Sequence, residues 1–297
     1  MKLSKKEITL LTLLAQSKKP LPPRDVAVAI DVEYSSIYNI LYRLERKGLV
    51  DRDEFGRVLL SITPQAESFK RLYYAHQSSP LDRIITGRKL ELLLNLDQNP
   101  KTADEIQEDT KIPISTIYYY LKDLMKLGIV RRITKKTPSK GTHRYIFNEI
   151  LWEDLKTFLT ELSKAEGIQK MPPGSILIKN YGNSILFKSI RQQDATPTSF
   201  SVYDKYGVSL FLMRTSNYYT LPKRYLSIMD VFIHSLDSAD DISHRLYCII
   251  FYIKNKQKLG GVRHPMLKDI KNVLNGKHVN GFPTHEEVMD RVSVYAI

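Results

Sequence analysis

The sequence predicts an α+β protein built from two copies of a mostly helical unit followed by a C-terminal α+β domain. A repeat carries most of that expectation: residues 35–52, SSIYNILYRLERKGLVDR, return as STIYYYLKDLMKLGIVRR at 115–132, offset by 80 with no gap. Ser35/Ser115, Ile37/Ile117, Tyr38/Tyr118, Leu41/Leu121, Leu44/Leu124, Gly48/Gly128, Val50/Val130 and Arg52/Arg132 are identical, and Pro20/Pro100 keeps the same offset upstream. So regular a repeat means one structural unit used twice. The second observation is the apolar spacing i, i+4, i+7 of Ile37, Leu41, Leu44 and of Ile117, Leu121, Leu124. It gives each copy a helix with one buried stripe and an opposite face left to solvent or a partner. The third is the change after MPPG (171–174), where ILIKN, ILFKSI, SFSVYDK and VSLFLMR read as strands. The expected domains are 1–80, 81–167 and 168–297.

Each copy opens with an apolar helix, ITLLTLLAQ (8–16) or KLELLLNLD (89–97). The short helices PPRDVAVAID (22–31) and KTADEIQEDT (101–110) follow, and the turns VEY and KIP lead into the long helix. Gly48 and Gly128 stand just past the last periodic residue, where a left-handed residue ends a helix, and Leu49-Val50 and Ile129-Val130 then start a strand. Helix, helix, turn, helix, hairpin is the winged-helix order, so the fold class is two tandem winged-helix domains ahead of the α+β domain. PQAESFKRLYYAHQ (64–77) reads as a connecting helix and SSPLDRIITG (78–87) as a short linker. ILWEDLKTFLTELSKAEG (150–167) carries Leu151, Leu155, Phe158, Leu159 and Leu162 at helical spacing beside Trp152. That stripe suits either a dimerisation or domain-bridging helix, or a helix packing on its own winged helix.

Both copies have a Ser/Thr-start helix with an apolar stripe ending in Leu-x-x-x-Gly-Leu/Ile-Val. In this they resemble the winged-helix DNA-binding domains of archaeal and bacterial transcription regulators of the MarR, TrmB and PadR kinds. The resemblance covers roughly residues 4–148, about half of the chain. It implies a winged-helix fold and duplex-DNA binding, although winged helices also serve as protein-interaction modules.

Composition is compatible with a nucleic-acid partner. The 297 residues hold 45 basic and 32 acidic side chains, a net charge of +13. A field of that sign attracts polyanions but says nothing of fold. Basic residues outnumber acidic ones thirteen to nine over 1–80, fifteen to thirteen over 81–167 and seventeen to ten over 168–297, so the excess is not confined to the winged helices. The single cysteine, Cys248, excludes a disulfide or Cys-type zinc site within one chain and points to a cytoplasmic protein. MKLSKKEITLLTLLAQS imitates a secretory signal, but its apolar stretch of eight residues aligns with the first helix of the second copy and reads as a mature helix. No apolar segment approaches the roughly 18–20 residues needed to span a bilayer, so no membrane partner is expected.

In a helix-turn-helix the N-terminal half of the second helix enters the major groove. The outward positions are Ser35, Ser36, Tyr38, Asn39, Tyr42, Arg43 and Arg46 in the first copy, and Ser115, Thr116, Tyr118, Tyr119, Lys122 and Lys126 in the second. Ser and Thr bond phosphates or base edges, Asn39 can pair with adenine, and the later cations suit phosphates. Tyr38 and Tyr118 share one repeat position and are the preferred common contact, the alternative being that each packs against its own wing. From 131 to 144, RRITKKTPSKGTHR holds Arg131, Arg132, Lys135, Lys136, Lys140 and Arg144 with His143 and no acid. Pro138, Ser139 and Gly141 mark a loop tip, which places these cations on a wing facing the DNA backbone or minor groove, unless the run is only a solvated face. The first wing, DRDEFGRV, carries Asp51, Asp53 and Glu54, so the copies are expected to be unequal.

In the last third, the segment from 225 reads as two helices joined by a polar turn in which Asp240 or Asp241 caps the second. HPMLKDIKNVLNGK and THEEVMDRVSVYAI supply two more, with Thr284 and Glu287 in capping-box spacing. The region is weakly similar to the C-terminal part of AbiE-type antitoxins at Arg224, Leu226 and Asp230, but this chain has two winged helices where that family has one. The similarity implies a repressor that antagonises a toxin. Walker, Rossmann, Gly-x-Ser-x-Gly and His-Glu-x-x-His signatures are absent, so no enzyme and no cofactor is expected. His234, Asp237, Asp240, Asp241 and His244 are metal-capable, but capping and solvation explain their spacing better, so no metal is expected. Lys254, Lys256, Lys258, Arg263, His264, Lys268 and Lys271, with only Asp269 among them, would extend a DNA footprint or bind an acidic partner protein. The leading expectation is a sequence-specific double-stranded DNA-binding protein, most simply a transcriptional regulator, with self-association or a protein partner through the C-terminal domain. A plasmid-type replication initiator and a winged-helix interaction subunit of the transcription machinery are the competing readings.

Overall fold

The computed structural model describes residues 2–17, 19–96, 100–135, 142–210 and 216–294. The chain divides into two units, Met1–Glu166 and Gly167–Ile297.

In the first unit, α1 (Lys5–Gln16) begins at a capping box: the Ser4 side chain accepts from the Glu7 N–H, and the Glu7 carboxylate accepts from the Ser4 N–H. Next come α2 (Pro23–Ala29), α3 (Tyr34–Arg46) and an antiparallel hairpin of β1 (Val50–Arg52) and β2 (Val58–Leu60). The helices α4 (Pro64–Ala75) and α5 (Leu81–Ile84) lead into the second pass. That pass consists of α6 (Gly87–Asn95), α7 (Ala103–Thr110), α8 (Ile114–Lys126), β3 (Val130–Lys135) and β4 (Thr142–Phe147). α9 (Glu153–Lys170) follows. Both copies therefore show the winged-helix order. Gly48 and Gly128 hold φ of +63° and +70°, and the next amides, Leu49 and Ile129, return to the Leu44 and Leu124 carbonyls at 3.0 and 2.9 Å. These bonds end α3 and α8 and turn the chain into the wings.

Ile37, Leu41, Leu44, Ile117, Leu121 and Leu124 are all buried in one apolar cluster that also holds Leu155, Phe158, Leu159 and Leu162 of α9. Phe69 meets Phe158 edge-on with ring centroids 5.4 Å apart, and His76 stacks on Trp152 at 4.1 Å. The stripe of α9 is thus buried within the first unit and ties the two copies together. Leu151, expected on that stripe, precedes α9 and is exposed, because Trp152 takes the inward position and donates Nε1–H to the Leu127 carbonyl. The expected linker 78–87 is also corrected. It contains α5, and Leu81, Ile84 and Ile85 at i, i+3, i+4 are buried in the shared core.

The second unit has a four-stranded antiparallel sheet of β5 (Ile176–Asn180), β6 (Ile185–Ser189), β7 (Thr196–Pro197) and β8 (Asn217–Leu221), in the order β5-β6-β8-β7. Helices α10 (Ile228–Ser238), α11 (Ile242–Asn255), α12 (Met266–Leu274) and α13 (His285–Val294) complete it, with a 3-10 turn at Lys256–Lys258. Its core centres on Phe251, which stacks on Tyr203 at 4.4 Å and on Phe232 at 5.5 Å. Asp241 caps α11, and Thr284 with Glu287 forms the expected box before α13.

Two strand assignments are corrected. SFSVYDK folds as a 3-10 helix, Ser199–Tyr206, and not as a strand. Its alternation is deceptive: Ser199 starts at φ +52°, Ser201 N–H returns to the Thr198 carbonyl, and the Ser201 hydroxyl accepts from the Tyr218 N–H at 2.7 Å. Short hydroxyl side chains here turn the chain instead of extending it. In VSLFLMR, Val208–Leu210 has no regular structure, and 211–214 lie outside the described residues. The strand that pairs with β6 is NYYTL, 217–221.

Candidate nucleic-acid interface

The winged-helix frame sets α3 and α8 with their apolar stripes inward, and the polar face of each follows from the helical period. Ser35, Ser36, Tyr38, Asn39, Tyr42, Arg43 and Arg46 are all exposed on α3. On α8, Ser115, Tyr118, Tyr119, Lys122 and Lys126 are exposed and Thr116 is half-buried. Neither helix begins at the expected serine: Tyr34 and Ile114 are the first helical residues, and the caps Glu33 and Pro113 make no side-chain cap bond. The amides and hydroxyls of the first turn are therefore not tied up by a side-chain cap.

The two faces differ in charge. Residues 34–60 carry five basic and four acidic side chains, whereas 114–147 carry eight basic and one acidic, Asp123. Most first-copy cations are also neutralised locally. Arg43 Nε and Lys47 Nζ both reach Glu7 Oε1, at 3.2 and 3.0 Å, Arg52 pairs with Glu45 at 2.6 Å, and Arg57 with Asp53 at 2.7 Å. Glu7 is buried, which would raise its pKa, but the Ser4 amide and the Lys47 charge hold its carboxyl below the usual range and keep it ionised. The sequence hid this cluster because its members lie about forty residues apart.

What the first copy does expose is aromatic. Tyr34, Tyr38 and Tyr42 sit one turn apart along α3, and Phe55 on the wing is 73% exposed. The Tyr34 and Tyr38 hydroxyls share a 2.5 Å hydrogen bond, which holds the Tyr38 phenol above its usual pKa. Arg52 of the wing lies over the Tyr38 ring, and Arg46 lies 5.9 Å from the Tyr42 centroid. Tyr38 thus packs in part against its own wing while 39% of it stays open. Its repeat partner Tyr118 is 52% exposed. Tyr34 was not expected at this site; its spacing of four from Tyr38 was the available signal.

On the second wing, Arg131 and Arg132 are exposed. Arg144 faces inward, donating Nη1–H to the Pro100 carbonyl at 2.8 Å and pairing with Glu105 at 3.4 Å, which gives it a structural task at the start of α7. Lys136 and Lys140 lie outside the described residues, with Pro138, Ser139 and Gly141, as does the side chain of Lys135.

In the second unit, the metal-capable residues separate into three places. Asp240, Asp241 and His244 have ligand atoms within 4.8 Å of one another, but Asp241 accepts the His244 N–H as a cap and His244 Nδ1 meets Asp240 at 2.7 Å. Asp237 belongs elsewhere, with Lys179 Nζ at 2.7 Å, the Tyr181 hydroxyl at 2.5 Å and His264 Nε2 at 3.3 Å. His234 is buried against Thr198 Oγ1 at 2.8 Å. Arg224, Leu226 and Asp230 have a local explanation: Asp230 completes the Ser227 capping box and lies 3.7 Å from Arg224, and Leu226 is buried.

Three helices followed by a hairpin, twice over, define the winged-helix class of fold. A family model described as Sugar-specific transcriptional regulator TrmB matches residues 1–77 and 90–149. These segments are similar to that family's model, and the match stops before the second unit begins. No curated protein matches the chain. Among the described residues no helix is long and apolar enough to cross a membrane.

Proposed function

We propose that the chain is a sequence-specific duplex-DNA-binding transcriptional regulator whose two copies divide the work. The second copy supplies most of the phosphate grip, through Lys122 and Lys126 of α8, Arg131 and Arg132 of the wing, and Lys135, Lys136 and Lys140 of the basic run that follows in sequence. The first copy reads bases with Ser35, Ser36, Tyr38, Asn39 and Tyr42, since phosphate contacts position a protein and base-edge contacts specify. Arg43 and Arg144 drop out of the contact set because each already serves a carboxylate within the fold.

The observation that carries this reading is the charge contrast between two otherwise equivalent helix–wing faces, one nearly neutral and one strongly cationic. The description sugar-specific stays with the family model, because nothing beyond residue 149 is matched. The test is selection from a random duplex library at moderate salt, followed by sequencing of the retained DNA. One enriched motif is the expected result, and uniform recovery of all sequences would contradict the proposal.

A further inference from the structure

The lysines of the second unit fall into two sets. Lys170 donates to the Gly182 carbonyl, Lys179 pairs with Asp237, Lys188 with Asp240 and Lys223 with Asp194. By contrast, Lys205, Lys254, Lys256, Lys258, Lys268, Lys271 and Lys277 are exposed and have no ion-pair partner among the described residues. Five of these seven fall within an 18-residue stretch covering the end of α11, the 3-10 turn, the Gly260-Gly261 loop and α12, and Lys277 follows it by six residues. Lys205 lies beside it, because a Cβ on Gly207, two residues on, would stand 3.0 Å from the Lys254 side chain. Asp204 and Asp269 are the acids in these two segments.

Helix electrostatics account for part of this set and not the rest. Lys254 and Lys271 stand in the last turns of α11 and α12, where the helix dipole favours a cation. Lys268 stands in the first turn of α12, where the dipole disfavours one, and Lys258 lies in the 3-10 turn. Within the stretch itself no large apolar side chain is exposed among the described residues, and Met229, 39% exposed, borders it at Gly261. Protein interfaces are depleted in lysine and centre on aromatic or aliphatic anchors. Lysines without such anchors suit phosphate, which they bind as point charges without reading sequence.

We propose that this lysine face is a second, sequence-independent duplex-DNA contact that grips backbone phosphate. The inference rests on the duplex-DNA reading of the first unit, which holds the second near DNA through the continuous chain and so favours even weak added contacts.

The test uses the full chain with Lys254, Lys256, Lys258 and Lys268 all replaced by Ala, and binding to one preferred duplex measured across a salt series. Each lost phosphate contact should shrink the slope of log affinity against log salt by about 0.9, so a loss of about three to four units is expected with the preferred sequence unchanged. The same four positions changed to Gln must give the same loss. Lys170, Lys188 and Lys223 changed together to Ala must not, since a matching loss there would reduce the effect to net charge and overturn the proposal. An unchanged slope in the four-lysine variant also overturns it. If that variant instead loses only retention of polyglutamate, the face belongs to an acidic protein partner and the DNA assignment fails. Failure of the unaltered chain to bind any duplex would remove this proposal together with the regulator reading, whereas the preceding outcomes remove this one alone.

Discussion

The Arg52 guanidinium lies over the Tyr38 ring, 5.6 Å from its centroid, so the wing of the first copy is folded onto α3. Arg52 also pairs with Glu45 at 2.6 Å, and its charge is matched within the fold. Arg52→Ala should therefore leave the salt slope of DNA binding unchanged. A fall of about one unit would put Arg52 on phosphate and remove the distinction drawn between the wings.

Asn39 is exposed on the first turns of α3 with room to meet a base edge. Asn39→Ala should relax discrimination at one or two base pairs, costing about 1–3 kcal/mol at the preferred site and little on random duplex. Competition titrations with single-base variants of the site measure this. Equal loss on specific and random DNA would show that α3 does not read bases there.

Arg144 fastens β4 to the start of α7 through the Pro100 carbonyl and Glu105. Arg144→Ala should destabilise the protein by about 1–3 kcal/mol, since hydrogen bonds to charged groups are lost from a largely covered position. Denaturant unfolding should register that loss while the salt slope stays put. Full stability with a smaller slope would return Arg144 to the DNA-contact set.

The second unit should weaken in acid in two stages. Burial pushes the His234 pKa down to about 4, against about 6.5 for the unfolded chain, so the unfolded state takes up the proton first. Stability from this residue is complete above pH 6.5 and falls by roughly 3 kcal/mol as pH drops from 6.5 to 4. Asp237 acts lower. Burial favours its neutral form, but the His264 hydrogen bond and Lys179 pull its pKa down to about 2, so its contribution is lost only as pH falls from about 3.8 toward 2. Thermal unfolding between pH 7 and 4 tests the first stage, and His234→Asn should flatten the curve there. A wild-type curve already flat from 6.5 to 4 would contradict it.

The repeat, the apolar stripes and the two glycines made both winged helices legible, because local period and a left-handed turn are written in adjacent residues. What the sequence hid was non-local. Glu7 meets Lys47 across forty residues, and Arg144 looked like the other cations of its run until its partners Pro100 and Glu105 were placed. Alternation misled at SFSVYDK, where serine hydroxyls bend the chain, and the apolar residues of the supposed linker, Leu81, Ile84 and Ile85, complete a core supplied by distant helices. Outward positions on α3 and α8 could be read from periodicity, but which cations were already paired could not.

The central claim is that the second helix–wing face, and not the first, holds the DNA backbone. The most direct measurement is the salt dependence of binding to one preferred duplex for the full chain with Lys122, Lys126, Arg131 and Arg132 replaced by Ala, beside a variant with Arg43 and Arg46 replaced. The account predicts that the first variant loses about three to four units of slope, at about 0.9 for each contact, and that the second loses less than about one. An unchanged slope in the first variant, or a larger loss in the second, would contradict it.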